Sequence, residues 1–216
     1  MKVLGFNGSP RKQWNTATLL NKALEGAASK GATTEIVHLY DLNFKGCISC
    51  FACKTINGTS YGKCALQDDL EPYLRKIEEA DAIVLGSPIY FGCVTGEMRS
   101  FLERLMFQYL VYSKPVKSLA PKQMNIGFIY TMNVTEKMAK EMAYEQKISQ
   151  HEVSLKMLFG GKVEHLYSYD TYQFKDYSKV VADLFDAAQK AQHRERQFPI
   201  DCKKAFEMGA GLVTAR

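Results

Sequence analysis

Four cysteines in one short stretch are the residues best suited to chemistry. Cys47, Cys50 and Cys53 recur at three-residue steps, and Cys64 follows after a gap of ten residues. Four thiolates are enough for a [4Fe–4S] cluster, and the tight first spacing is that of cluster-binding runs. They equally suit a tetrahedral zinc site, or they stay as reduced or reversible thiols. From these residues alone all three readings stand. Cys93 and Cys202 lie apart and are expected to be buried thiols.

A second group lies at the start of the chain, MKVLGFNGSPRKQWNTATLL. The apolar run Val3-Leu4-Gly5-Phe6 reads as a buried parallel strand. A polar turn, Asn7 to Lys12, follows, and Asn15-Thr16 are placed to cap a helix beginning near Ala17. Strand, hydroxyl-rich turn and helix N-terminus together form an anion site, because free N–H groups and the helix dipole point at the turn. Ser9, Asn15 and Thr16 add side-chain hydrogen bonds, and Arg11 adds a charge-assisted contact. The turn matches neither GxxxxGK[ST] nor GxGxxG, which counts against both motifs, and from the turn alone a phosphate site and a simple βα connection both stand.

The elements that position these residues follow one another in strict alternation. Gly31 ends the first helix, and Thr34 to Leu39 is a second strand in which His38 is a satisfied strand residue. An insert over about residues 40–67 carries the four cysteines; connections of that length are commonly functional. Asp68-Asp69 start a second helix with Leu70, Leu74 and Ile77 inward. Asp81 to Ser87 is a third strand, almost purely apolar and so central, followed by the loop Pro88 to Gly92 and a helix over 95–112. Met124 to Tyr130 is the fourth strand, ending at Thr131, and a long helix spans 135–159. Val163 to Tyr169 is the fifth strand, and helices over 176–196 and 198–208 complete the chain. Such alternation implies right-handed crossovers and a parallel sheet covered on both faces. Ligands on these sheets sit beyond the C-terminal strand ends, where the loops at Ser9, Pro88 and Thr131 meet.

Composition narrows the function classes. At 216 residues, 46% hydrophobic and 24% charged, the chain suits one domain over 1–216 with a full core. A net charge of +5 with scattered Lys and Arg gives no support to nucleic-acid binding. No secretory leader and no apolar run of roughly 18 residues is visible, so a cytoplasmic protein without a membrane segment is expected. The four histidines form no ligand spacing, and no Ser-His-Asp arrangement is evident. Lys190, His193, Arg194 and Arg196 read as a solvated basic helix end.

The segments Gly8-Ser9-Pro10-Arg11 with Asn15-Thr16, Gly86-Ser87-Pro88-Ile89-Tyr90-Phe91 and Phe101-Leu102-Glu103-Arg104, in this order, resemble the NADPH-dependent FMN reductase family of flavodoxin-like flavoproteins. The cysteine insert is similar to that of the iron–sulfur flavoprotein branch and its cluster-free relatives. Two departures stand out: the ten-residue gap before Cys64 is longer than that branch's compact motif, and no Pro follows Cys64. The resemblance implies a flavodoxin-like three-layer α/β sandwich whose five parallel strands run in the order 2-1-3-4-5. It further implies that Ser9, Arg11, Asn15, Thr16 and the Ala17 amide hold an FMN phosphate. Pro88, Ile89, Tyr90 and Phe91 would line the isoalloxazine ring, with Thr131 and its neighbours closing the third side. A flavin independently asks for these parts: an anion cradle, an apolar slot and nearby backbone donors. Trp14 stands where the family usually has a small residue, as a lid or a contact to a second subunit.

The function this implies is an FMN-dependent oxidoreductase. It would move electrons from NAD(P)H or a reduced carrier to a quinone, a flavin or another small acceptor. No obligate catalytic side chain is assigned. The rival readings are a non-enzymatic FMN or iron–sulfur electron-transfer protein served by a ferredoxin-type partner, and a cluster- or zinc-bearing regulatory protein. The resemblance also implies a homodimer or homotetramer, which suits a ring held by loops on one sheet edge and easily left half exposed.

Overall fold

The computed structural model describes residues 1–213. Apolar runs of β-branched and aliphatic residues form a parallel sheet from β1 (Lys2–Asn7), β2 (Thr33–His38) and β3 (Ala82–Tyr90), continued by β7 (Met124–Thr131) and β8 (Gly160–Ser168). The order across the sheet is β2-β1-β3-β7-β8, the flavodoxin-like 2-1-3-4-5 order expected from the sequence. Phe6 lies beside Leu85 and Leu85 beside Phe128, so the central strands present apolar residues in register. Three short strands stand outside this set: β4 (Cys93–Val94), which folds back antiparallel on β3, and the hairpin of β5 (Leu110–Val111) with β6 (Lys117–Ser118).

Two apolar layers cover the sheet. On one face α1 (Asn15–Ser29) and α7 (Phe198–Leu212) pack Leu19, Leu20, Ala23 and Met208 over Val3, Val84 and Ile129. On the other, α2 (Glu71–Glu79), α3 (Gly96–Tyr109) and α5 (Tyr144–Phe159) pack Leu74, Phe101, Leu102 and Leu155 over Phe6, Leu85 and Phe128. The short α4 (Glu136–Glu141) and α6 (Ala187–Arg196) complete the chain.

Several expected boundaries move, each for a local reason. Asn15 and Thr16 do not cap α1: they are its first two residues, Trp14 is the N-cap, and no side chain caps the end. Asp68 does not open α2 as a simple helix start but turns to an arginine described below, and the helix begins at Glu71. β3 runs on through Pro88 to Tyr90, because Ile89 and Tyr90 pair with Val94 and Cys93. The long helix over 135–159 is two helices, broken at Ala143, whose left-handed backbone (φ 54°) cannot continue either one. The helix expected over 176–196 is cut by two caps. The Asp176 carboxylate accepts from the Ser178 amide and makes a single turn over Tyr177–Lys179, and the Asp186 carboxylate accepts from Gln189 to start α6. Leu184, which a continuous helix over 176–196 would place on one side with Val180, Ala187 and Ala191, is therefore 75% exposed. The terminal helix extends to Leu212 rather than stopping at Met208.

Candidate functional site

The uncapped start of α1 is the centre of the site. The first intrahelical bond is made by the Thr18 N–H to the Trp14 carbonyl at 2.8 Å, leaving the amides of Asn15, Thr16 and Ala17 ahead of it as orphan donors. Their own side chains do not satisfy them. The Asn15 amide group donates to the Tyr172 carbonyl at 2.9 Å, and its oxygen accepts from Arg194 at 2.7 Å. Thr16 and Thr131 share a hydroxyl–hydroxyl bond of 2.7 Å. The failed capping expectation thus leaves a more open anion cradle than a capped helix would.

The turn before the helix is tightly organised. The Asn7 side chain accepts from the Ser9 amide at 3.1 Å and faces His38 at 2.9 Å, so His38 is the satisfied strand residue its sequence context suggests. The Ser9 hydroxyl accepts from the Arg11 amide at 3.1 Å. The Arg11 guanidinium lies 4.0 Å over the Trp14 ring and donates to the Gln173 carbonyl at 2.7 Å, while the Trp14 indole N–H donates to the Tyr172 carbonyl at 2.9 Å. Trp14 is therefore the platform on which Arg11 is held.

Ser9, Arg11, Asn15, Thr16, Pro88, Ile89, Tyr90 and Thr131 line one cleft at the C-terminal strand ends. Its empty space, open mouth included, is about 470 Å³. Two of the expected residues stand differently. Ala17 is buried on α1 and does not line the cleft, and Phe91 sits at the β3–β4 hairpin tip, fully exposed and outside the cleft lining. Tyr90 is 44% exposed, so neither aromatic is core packing. Cys93, expected to be buried, is exposed on the same hairpin, and Cys202 is half-buried.

Met132 and Asn133, the neighbours of Thr131, line the far wall together with Thr171 and Gln173, and it is the last two that sequence reasoning missed. The ends of β7 and β8 are laced together there, with the Met132 amide on the Ser168 carbonyl and the Thr171 amide and hydroxyl on the Met132 carbonyl. Lys190, read as a solvated helix end, is instead fully buried. Its ammonium donates to the Asn133 carbonyl at 2.8 Å and pairs with Asp170 at 2.6 Å, fixing the loop from beneath. The Asn133 Oδ1 is buried and has no partner among the described residues. An orphan acceptor in a cleft wall calls for a ligand N–H, and a flavin ring carries one. The residues present fit FMN: orphan amides for its phosphate, an apolar edge from Pro88, Ile89 and Tyr90, and an unsatisfied acceptor opposite.

The four cysteines of the insert also come together. Cys47, Cys50, Cys53 and Cys64 line a second cavity, about 330 Å³ with its mouth, walled by Ile48, Phe51, Ala65, Leu66, Arg104, Phe107 and Gln108. All four are free thiols. Ser49 and Phe51 take left-handed backbone (φ 55° and 56°), which curls the three-residue repeats tightly. Lys54 anchors the insert by donating to the carbonyls of Phe107 and Leu110 at the C-terminal end of α3. The long gap before Cys64 folds back, with the Gly62 amide on the Cys53 carbonyl at 3.0 Å. Burial pushes the Cys53 thiol up; Lys54 opposes this, while Cys64, Cys47 and Cys50 add to it, since neighbouring sulfurs resist ionising together. The sulfurs surround a cavity rather than a point: among the described residues no three His, Cys, Asp or Glu side chains meet at a single-ion position. Four thiols lining one cavity are a donor set that would fit a [4Fe–4S] cluster.

A sequence model of the NADPH-dependent FMN reductase family matches residues 1–124, more than half of the chain. The chain belongs to that family. Its members similar to this chain include an iron–sulfur flavoprotein of Methanocaldococcus jannaschii, 42% identical over 104 residues, 48% of this chain and 51% of that one. An iron–sulfur flavoprotein of Archaeoglobus fulgidus is 43% identical over 104 residues, 48% of each chain. The chain thus spans about half the length of the curated relatives it matches. Among solved structures, the NAD(P)H:quinone oxidoreductase of Methanothermobacter marburgensis aligns with a TM-score of 0.71 at 15% identity, covering 100% of this chain and 98% of that one. An FMN-dependent NADH-azoreductase of Bacillus anthracis in complex with FMN aligns at 0.64 and 12% identity, covering 99% and 100%. These structures share the fold of this FMN reductase family member. No helix among its described residues is long and apolar enough to cross a membrane.

Proposed function

We propose that this chain is an FMN-dependent oxidoreductase that passes electrons from NAD(P)H or a reduced carrier to a quinone, a flavin or another small acceptor. The observation that carries the reading is the cleft itself. Three orphan amides of α1, the Arg11–Trp14 pair and the Pro88–Tyr90 edge face one space whose far wall holds an unpartnered Asn133 oxygen. FMN, when bound, supplies hydride and single-electron chemistry. The chain's own part is to hold the phosphate at Ser9, Arg11, Asn15, Thr16 and the Ala17 amide, to seat the ring against Pro88, Ile89 and Tyr90, and to keep water off its inner edge with Thr131 and Met132. The exposed Tyr90–Phe91 tip and half-open cleft suit completion by a second copy, so a dimer or tetramer is expected, and light scattering at micromolar concentration would show it.

A second element of the reading comes from the converging thiols. We propose that Cys47, Cys50, Cys53 and Cys64 hold a [4Fe–4S] cluster and that a ferredoxin-type protein exchanges electrons there. The relatives named iron–sulfur flavoproteins support this. Anaerobic reconstitution followed by absorption spectroscopy with iron and sulfide analysis tests it. Steady-state oxidation of NAD(P)H by the flavin-loaded protein supports the nicotinamide version, and flavin reduced only by ferredoxin would sink it.

Arg11→Ala separates phosphate recognition from ring recognition. Loss of a charge-assisted hydrogen bond, about 1.5–3 kcal/mol, weakens FMN roughly 10- to 100-fold in a fluorescence titration and leaves riboflavin nearly unchanged. Equal losses for both would contradict the assignment of Arg11 to the phosphate.

A further inference from the structure

Arg104 is among the most completely buried side chains of the protein, and every part of its guanidinium is committed. Nη1 and Nη2 grip the two Asp68 carboxylate oxygens at 2.7 and 3.1 Å, and they also donate to the carbonyls of Lys45 and Leu66. The remaining N–H, on Nε, donates to the Cys64 sulfur at 2.9 Å. Asp68 and the two carbonyls thus fix the fork so that its free edge meets one cysteine. Beside it, Gln108 accepts the Cys64 amide on Oε1 at 2.9 Å. Its Nε2 is buried in the wall of the same cavity with no partner among the described residues. A buried amide donor in the wall of a pocket of four sulfurs is costly unless something there accepts from it.

We propose that Arg104 and Gln108 are positioning residues that hold and electrostatically balance the sulfur centre, Arg104 through Cys64 and Gln108 through its free amide. The inference rests on the cluster reading of the cysteine pocket. A centre ligated by four thiolates carries net negative charge, and reduction adds one electron and one more negative charge. Fixed donors to sulfur favour the more negative state and so raise the potential. Cys64 lies outside the three-residue repeat, and Arg104 is what brings this distant sulfur into the set. Its neighbour Glu103, which accepts the Cys47 amide at 3.4 Å, ties α3 to the first cysteine as well. The Phe101-Leu102-Glu103-Arg104 segment of α3 therefore serves the cysteine insert directly.

Two substitutions test this with small steric change. Gln108→Glu keeps an oxygen for the Cys64 amide and for Arg75 Nη2 at 3.4 Å, and replaces the free N–H by a second oxygen and a negative charge. Arg104→Lys keeps a positive charge and removes the fixed fork. The full-length wild type and both variants are reconstituted anaerobically with ferrous iron and sulfide. Fold is checked by circular dichroism, iron and sulfide are counted, and the cluster potential is read by mediated redox titration followed by electron paramagnetic resonance. Both variants are expected to show midpoints more negative than wild type, the Gln108→Glu shift arising with undiminished thermal stability. Cluster-loaded variants with unchanged midpoints would overturn the proposal and leave the cluster reading intact. A wild type that takes up neither iron nor sulfide would overturn both, while FMN binding, measured separately, would still stand.

Discussion

Arg104→Met is expected to cost about 3–5 kcal/mol of folding stability, the loss typical of leaving one member of a buried ion pair behind. The Arg104 side chain is 1% exposed and Asp68 20%, so the stranded carboxylate loses its main partner without gaining full solvation. The Lys45 and Leu66 carbonyls lose their donors in the same step. Methionine keeps most of the apolar volume, which confines the effect to polar groups. Urea unfolding should show a lower midpoint, and adding Asp68→Asn to the variant should recover part of it by removing the unpaired charge. The pH dependence carries a definite sign. Burial alone would raise the Asp68 carboxyl, but the Arg104 hydrogen bond and charge outweigh it and hold it below its ordinary value. The stabilisation is therefore complete above the unfolded carboxylate value of about 4 and is lost as pH falls through the lower folded value. The gap between wild type and Arg104→Met should be widest near neutrality and narrow in acid. A gap that is constant across that range would show that the pair is not what stabilises the insert.

The sheet order was legible because each strand is an apolar run closed by a turn signal, and the three loops at its C-terminal edge followed from topology. What escaped were partners distant in sequence. Nothing around Lys190 marks it as buried; its polar helix face pointed to solvent, and only the meeting of Asp170 and Asn133 beneath the cleft draws it inside. Arg104 lay in a recognised motif, yet its role depends on Cys64 and Asp68, 40 and 36 residues away along the chain and on no shared helix face. Asn15 and Thr16 were assigned to capping by residue type. The choice between cap and wall was made by Tyr172 and Thr131, which sequence periodicity cannot place beside them. The helix over 176–196 failed because Asp176 and Asp186 both carry the signature of a helix start, and the second one marked the true beginning.

The cleft and the cysteine pocket share α3 as a common frame. Its N-terminal end is tied to the phosphate turn, since the Thr95 cap hydroxyl donates to the Gly8 carbonyl at 2.7 Å. Its C-terminal half carries Arg104, Phe107 and Gln108 into the sulfur cavity. One rigid helix thus fixes the separation between the two candidate redox sites, which is what electron exchange between them would require of the protein.

The contact between α1 and α7 predicts the other large effect. A Cβ placed on Gly209 would lie 1.8 Å from the Ala23 carbonyl oxygen, and one on Gly26 would lie 2.0 Å from the Phe206 carbonyl oxygen. The two helices meet backbone to backbone, and no side-chain rotation relieves either clash. Gly209→Ala should therefore reach or exceed the upper end of ordinary overpacking, about 3 kcal/mol, despite alanine's better helix propensity. Gly211→Ala, on the same helix with nothing among the described residues within 4 Å of the added carbon, is the matched control and should be neutral or stabilising by up to about 1 kcal/mol. The consequence reaches the ligand. α7 lies beyond the residues matched by the family and covers the helix whose first turn supplies the orphan amides. If α7 is what seats α1, Gly209→Ala should weaken FMN and riboflavin unequally, with the phosphate-bearing ligand losing more, in folded protein at low temperature. If FMN affinity is untouched while stability falls, the cradle is held by Trp14, Tyr172 and Thr131 alone, and α7 serves only the core.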